Sequence, residues 1–442
     1  MSDLQKLWGL LNLQDISPPA SAVPESVAMS ASLEALEASP GAPRAARSTS
    51  TTARLKESME QPDDTPALIE ALQQKLQEDP QGALEAAPAQ LGPEPTVADA
   101  YRLLDEARRA ATQPELTYRT LESNRREGVN VSPDSVGFTG PGNPAIRIDP
   151  NLRKFEDRAD AAAWALTASK AWGFRLVHKK PPLPLHTTAS SRFCYPLKAA
   201  GDKATVALFS DWGSGYYHSR YIAWHIARLG AMQAIHLGDV YYTGTKQEFS
   251  EHFEPILDSD IVKTIPFFAM NANHEMDTHG IAYLDYLRRK RERGGQPGFV
   301  AQPQEGSYFC LDNAHYQVIG IDTAYWKNGR CRAQDAGCDR MRAWLEERLR
   351  SGRQQGKVNI LLSQNEPYMD KRRDLLGDLD FVLGGSGQGS LVDLWFWGDE
   401  HFCALYPPTE RTPFIGSCIG HGGYPYDRKT QDWFGRHFVK PA

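Results

Sequence analysis

Five short polar clusters in the second half of the chain carry residues that can bind cations and move protons. They are Ser210-Asp211-Trp212-Gly213, Gly238-Asp239-Val240-Tyr241-Tyr242, Asn273-His274-Glu275, Ser363-Gln364-Asn365-Glu366 and Gly398-Asp399-Glu400-His401. Carboxylates, amide oxygens, phenols and imidazoles are all metal ligands, and the oxygen donors favour hard cations. One Asp after a strand is more often a cap or turn residue than a ligand. Five clusters, each following an apolar run, are hard to reach as independent caps. A parallel sheet gathers the carboxyl ends of its strands at one edge, where α/β proteins bind ligands. Such an edge has room for two cations among these groups.

The elements that must position them are legible from periodicity. ATVALFSD, AIHLGD, TIPFFAMNANHE, VNILLSQ, VDLWFWGDEH, FCALYP and PFIGSCIG read as strands, and SYFCLD with HYQVIGID as an antiparallel pair. Tyr216 to Leu229, Lys246 to Phe253, Asp339 to Leu349 and Lys371 to Leu376 have helical spacing. Alternating strands and helices with a strand-rich tail predict an α/β domain whose sheet is partly parallel. Upstream, three helices are expected: from Thr65 to Asp79-Pro80, from Thr96 with Asp99 in a capping box, and from Asp157 to Trp172. Their thin apolar faces predict packing against the later domain. Residues 17–54 are rich in Pro, Ala and Ser and bury too little to offset chain entropy. The expected organisation is a flexible segment over 1–59, a helical region and connector over 60–200, and a catalytic domain over 201–442.

Bulk properties narrow the function classes. The chain has 442 residues, 41% hydrophobic, with a formal net charge of −6. That charge argues against a basic nucleic-acid surface. No apolar run reaches the ~18–20 residues of a membrane span. The N-terminus lacks a basic start and a long apolar core, so a cytoplasmic location is expected, with non-classical export as the other route. None of the six cysteines forms a CxxC pair. Cys331 and Cys338 flank a short loop and are expected as free thiols, pairing only under oxidation.

The blocks Asp211-x-Gly213, Gly238-Asp239-x-x-Tyr242, Asn273-His274-Glu275, the strand before Gln364-Asn365, and Gly398-x-x-His401 resemble those of the calcineurin-like metallophosphoesterases. The resemblance covers about residues 203–425 and is closest to the purple acid phosphatase branch. There the first block ends in Gly where most of the superfamily has a ligating His, and a Tyr from the second block takes its place. Gly213 and Tyr242 stand at those positions. The resemblance implies a four-layer α-β-β-α sandwich and hydrolysis of a phosphate ester by a hydroxide held on metal. It implies a first metal on Asp211, Asp239, Tyr242 and His401, taken as Fe(III) or another hard transition metal. Asp239 would bridge to a second metal that Asn273 also binds. His274 would donate to the phosphoryl group or protonate the leaving oxygen. His421, in a block like the Ile-Gly-His-Gly-Gly of bacterial relatives, would touch phosphate or else brace a turn.

Two second-metal histidines of that pattern are absent. Gln364 or Asn365 stands in place of one, the register between them being open, and Asp399 in place of the other. The expected outcome is an oxygen-rich second site for Mn, Mg, Fe or Ca in preference to Zn. The competing outcomes are a mononuclear enzyme, or a silent member acting as a binding or scaffold protein. The expected substrate is a small phosphate ester, and the N-terminal region is a candidate surface for a protein partner. His218, His225, His236 and His252 are read as packing or surface residues. Arg288 to Arg293 (RRKRER) is read as a solvated helix face.

Overall fold

Successive strand residues face opposite sides, and in the C-terminal region this divides the core into layers. The computed structural model describes residues 50–60, 65–88, 91, 94–112, 158–183, 193–201, 203–213, 217–258, 262–294, 300, 302–326, 331, 337–367, 375–384, 389–401 and 403–422. Ala234 in β3 (Gln233–His236) faces helices, whereas Ile235 faces a second sheet. Phe267 and Ala269 in β4 (Phe267–Ala269) share the first side, and Phe268 the other. With β2 (Val206–Phe209) these strands form a parallel sheet in the order β2-β3-β4.

The larger sheet has the order β1-β5-β6-β7-β8-β10-β9. It comprises β1 (Cys194–Pro196), β5 (Phe309–Asp312), β6 (Tyr316–Gly320), β7 (Val358–Ser363), β8 (Leu394–Trp397), β9 (Cys403–Tyr406) and β10 (Ile415–Ile419). β6, β7, β8 and β10 run parallel, while β5 pairs with β6 and β9 with β10 in antiparallel fashion. Phe309, Leu311, Val318 and Leu362 meet Ile235, Leu237 and Phe268 of the small sheet. Cys310, Ile319, Leu361 and Trp395 face outward onto Met341, Trp344, Leu345 and Leu349. These last belong to the long helix Cys338–Gln354. On the opposite side the small sheet is covered by Tyr217–Arg228, by the helical stretches Phe249–Phe253 and Glu254–Leu257, and by Ile281–Arg293. The result is the helix-sheet-sheet-helix sandwich, with parallel strand ends at one edge.

The upstream helices are α1 (Thr51–Glu60), α2 (Thr65–Glu78), α3 (Pro80–Glu85), α4 (Val97–Thr112) and α5 (Arg158–Val177). Thr96 and Asp99 exchange the reciprocal cap bonds expected of them. Asp79, expected to stop a helix, also starts one: its carboxylate accepts from Gly82 N–H at 3.0 Å and caps α3. α1 occupies part of the stretch whose composition suggested a flexible segment. The helices share a core of Leu55, Leu68, Ile69, Leu72, Leu76, Leu104 and Trp172, filled between by Ala71, Ala83, Ala100, Ala107 and Ala165. Alanine contributes little to an apolar pattern yet lets helices approach closely, which is why this core was underestimated. No helix among the described residues is long and apolar enough to cross a membrane.

Two other expectations are settled by packing. Cys331 and Cys338 form a disulfide, with Cα atoms 5.4 Å apart, correcting the expectation of free thiols; that expectation came from the absence of an export signal, not from local geometry. In the basic run, Arg288, Arg289, Lys290 and Arg293 each meet carboxylates of Asp285, Glu292, Glu254 or Asp258.

His236 is fully buried among Phe209, Trp212 and Phe253, and neither ring nitrogen has a hydrogen-bond partner. Burial pushes its pKa down from 6.5 to about 3. The folded chain therefore refuses a proton that the unfolded chain takes up between these values. This residue's contribution is intact above pH 6.5 and is lost as pH falls towards 3, with a slope of up to about 1.4 kcal/mol per pH unit. His236→Phe is expected to flatten that acid limb; urea midpoints of both proteins at pH 7, 5 and 4 measure it.

Candidate metal centre

The first two clusters are held together by backbone pairing that continues past the strands. Asp211 N–H donates to the Gly238 carbonyl at 3.1 Å, and Trp212 N–H to that of Asp239 at 3.0 Å. Across the larger sheet, Gly398 N–H donates to the Gln364 carbonyl at 3.1 Å. Asp211, Asp239 and Asp399 all adopt left-handed backbone, with φ of 56°, 68° and 64°. Each such residue costs on the order of 1 kcal/mol, so surrounding contacts must impose it. Gly238, at φ 105°, has no room for a side chain: a Cβ there would lie 2.4 Å from the Ala272 Cβ. Gly398 and Gly420 are equally constrained, because a Cβ on either would come within about 3 Å of Asp211 Oδ2 (3.1 and 2.9 Å).

Asp211 and Asp239 are fully buried. The Tyr241 hydroxyl lies 2.8 Å from Asp211 Oδ1, 3.5 Å from Asp239 Oδ2 and 2.8 Å from His401 Nε2. His401 Nε2 is 3.4 Å from Asp211 Oδ1. One hydroxyl proton cannot serve all these acceptors, and Asp211 Oδ2 has no hydrogen-bond partner at all. Burial drives both aspartate pKa values well above the carboxylate range, and the charges of Asp239 on Asp211 and of Asp399 on both drive them further. Burial also holds His401 down to about 4, with His274 adding to the effect. A cation at this point would satisfy the orphaned oxygen and offset the repulsion, so this donor set fits a hard metal.

The phenol in this cluster is that of Tyr241. Tyr242, the position expected from the Gly213 exchange, stands beside it. Its ring stacks on Trp164 with centroids 6.0 Å apart, its carbonyl meets His274 Nδ1 at 2.5 Å, and its N–H donates to Glu248. Two adjacent tyrosines differ by one residue in spacing, and backbone geometry in the loop decides which phenol turns inward.

The second group of expected ligands divides. Gln364 Nε2 donates to Asn273 Oδ1 at 2.8 Å, and Gln364 Oε1 is buried with no partner. Asn365 is engaged elsewhere: its Oδ1 accepts from Thr323 Oγ1 at 2.9 Å and its Nδ2 donates to Asp399 Oδ2 at 3.2 Å. Gln364 thus lies beside Asn273, and Asn365 beside Asp399. Glu366, Asp399 and Glu400 offer carboxylate oxygens within 4.8 Å of one another. Glu366 and Glu400 were not among the expected ligands, although both lie inside the clusters. His274 N–H approaches Asp239 Oδ1 at 3.4 Å. His421 is exposed, and Gly423 and Tyr424 lie outside the described residues.

Two buried glutamates hold the loop that carries Asp239 and Tyr241. Glu275 accepts from the N–H groups of Asp239 and Val240 at 3.1 and 3.2 Å. Burial raises its pKa to about 7. Glu248 accepts from the N–H groups of Tyr242, Thr243 and Thr245 and from both threonine hydroxyls. Glu248 closes a capping box with Thr245; the Thr-x-x-Glu spacing was the sequence signal for it.

Residues 204–403 match the family model of the calcineurin-like phosphoesterases. That span contains every cluster described above except His421. No curated protein matches the chain. Among solved structures, one of GAP50, "the anchor in the inner membrane complex of Plasmodium", is 14% identical, with a TM-score of 0.37, over 50% of this chain and 72% of that one.

The geometry separates the two tyrosines experimentally. Tyr241→Phe is expected to weaken binding of the first metal by on the order of tenfold or more. Tyr242→Phe should leave it within about twofold, and isothermal titration of the metal-free protein measures both.

Proposed function

We propose that this chain hydrolyses a small phosphate ester with two cations bound at the shared edge of the two sheets. The observation that carries the reading is the convergence of Asp211, Asp239, Tyr241 and His401 around a buried carboxylate oxygen with no protein partner. The calcineurin-like match over residues 204–403 supports it. The purple acid phosphatase pattern also pairs a glycine at 213 with a tyrosine from the next block; it places that tyrosine at 242, whereas the phenol beside Asp211 is that of Tyr241. Asp211, Asp239, Tyr241 and His401 would hold a hard first cation such as Fe(III). Asp239, Asn273 and Gln364, backed by Asp399, would hold Mn, Mg, Fe or Ca. When bound, the cations lower the pKa of a coordinated water towards neutrality and offset phosphoryl charge.

The chain's own residues supply the rest. His274 Nδ1 is tied to the Tyr242 carbonyl and so carries a proton; in the imidazolium form Nε2 carries one too, and that proton is the one to donate to a phosphoryl or leaving-group oxygen. Glu275 holds the Asp239 turn through two backbone bonds, so the bridging carboxylate is positioned before substrate arrives. His421, exposed at the rim, is a candidate contact for phosphate. The oxygen-rich set around Asp399 favours cations other than Zn.

The test is metal analysis combined with turnover of p-nitrophenyl phosphate and bis-p-nitrophenyl phosphate across Mg, Mn, Fe and Zn. Two bound metals and hydrolysis that Asp211→Asn lowers by at least about a thousandfold are expected. Absence of metal and of turnover in every condition would overturn the enzyme reading. A double substitution, Gln364→His with Asp399→His, should shift second-site preference towards Zn by on the order of tenfold, read by competition between Zn and Mn.

A further inference from the structure

The helical region upstream of the calcineurin-like segment reaches the site through one face of α5. Trp164 and Arg175 are eleven residues apart, close to three helical turns. They therefore share a face and stand about 16 Å apart along the axis. The Trp164 ring stacks on His274, with centroids 6.1 Å apart and planes 28° apart, and on Tyr242 beside it. Arg175 Nη1 lies 3.5 Å from Oδ1 of the fully buried Asp277 and donates to the Ala87 carbonyl at 2.7 Å. His279 Nε2 lies 3.3 Å from the Arg175 carbonyl and 3.0 Å from that of His178. Three contacts thus fall on His274, Asp277 and His279, within six residues of chain. Asn273, His274 and Glu275 occupy the start of that segment.

The stretch of α5 between Trp164 and Arg175 is fixed as well. Trp172 is fully buried in the helical core, and its Nε1 donates to the Ala83 carbonyl at 2.8 Å. α5 is thus bonded both to the bundle and to the 273–279 segment. Segment 273–279 has only a four-residue helix, Asn273–Met276, of its own. A segment this short gains little rigidity from its own helix bonds, so contacts with neighbours must fix where the His274 ring points. The Trp164 ring is stacked on both His274 and Tyr242, whereas the contact between Tyr241 and His274 is edge-on.

We infer that Trp164 is a positioning residue: α5 clamps the 273–279 segment, and the indole plane fixes the imidazole of His274 in the orientation that the reaction uses. The inference rests on the phosphoesterase reading for the role of His274 but not for the clamp itself. The upstream helices then have a function in the site, as a rigid support that the sandwich does not provide alone.

The experiment reads His274 in two ways in the full chain. Carbethoxylation by diethyl pyrocarbonate, followed peptide by peptide by mass spectrometry, reports how freely the ring is reached, with exposed His315 as the internal control. Turnover of p-nitrophenyl phosphate separates kcat from KM. Trp164→Ala and Trp164→Leu are expected to raise His274 reactivity about tenfold and lower kcat about tenfold, with KM within twofold. Leucine keeps an apolar contact, so this variant serves where alanine destabilises the fold. Trp164→Phe, which restores an aromatic face, should return both readouts to within about twofold of wild type. Unchanged His274 reactivity in folded Trp164→Leu would overturn the inference, as would failure of Trp164→Phe to rescue. If the wild-type chain turns over no phosphate ester, the phosphoesterase reading falls while the carbethoxylation arm still decides the clamp.

Discussion

Repulsion between two buried carboxylates is the constraint on which the site depends. Asp211 and Asp239 are withdrawn from water and brought within reach of a single phenol. Like charges withdrawn from water at short range repel by several kcal/mol, before any desolvation. The backbone adds strain, since both residues and Asp399 sit at positive φ. Without a counter-charge the folded chain is worst where it is most tightly built. Buried charges are tolerated when paired or when they coordinate metals, and Asp211 Oδ2, buried and unsatisfied, is an oxygen that a cation would satisfy.

The remaining architecture can be understood as holding these groups in place. Zipped backbone bonds carry the β2–β3 pairing beyond the sheet and fix the two aspartates side by side. Glycines at 238, 398 and 420 let neighbouring chain segments approach to distances that any Cβ would block. Glu275 and Glu248 accept from the N–H groups of Asp239, Val240, Tyr242, Thr243 and Thr245. Buried N–H groups left unpaired cost about 1–3 kcal/mol each. These glutamates are therefore structural in effect, although Glu275 sits in the same polar cluster as Asn273 and His274.

The fold was legible in the sequence because its signals were periodic. Strands with alternating faces and helices with one apolar face locate the layers, and each strand end carries its polar cluster. What escaped was decided by geometry within one or two residues. Tyr241 and Tyr242 have the same chemistry, and only the path of the loop sends one phenol to Asp211 and the other ring to Trp164. Gln364 and Asn365 are both amides, and alternation about the end of β7 gives one to Asn273 and the other to Thr323 and Asp399. The Cys331–Cys338 pair followed from proximity, which composition does not encode. The helical core escaped because alanines supply much of it.

The two halves of the site differ in how much the sandwich alone can do for them. Asp211, Asp239 and His401 are held by loops stitched to the strands that precede them, and their positions follow once the sheets form. His274 is different. It lies on a four-residue helix after β4, tied to the sandwich by the Tyr242 carbonyl and by its own N–H at 3.4 Å from Asp239. One carbonyl bond fixes a ring nitrogen but leaves rotation about that bond. A flat indole against the ring restricts that rotation, because tilting the imidazole would open the stacked contact. That indole comes from a helix outside the calcineurin-like segment. Placement of the buried carboxylates is thus intrinsic to the sandwich, whereas placement of the His274 ring is shared with the helices that precede it.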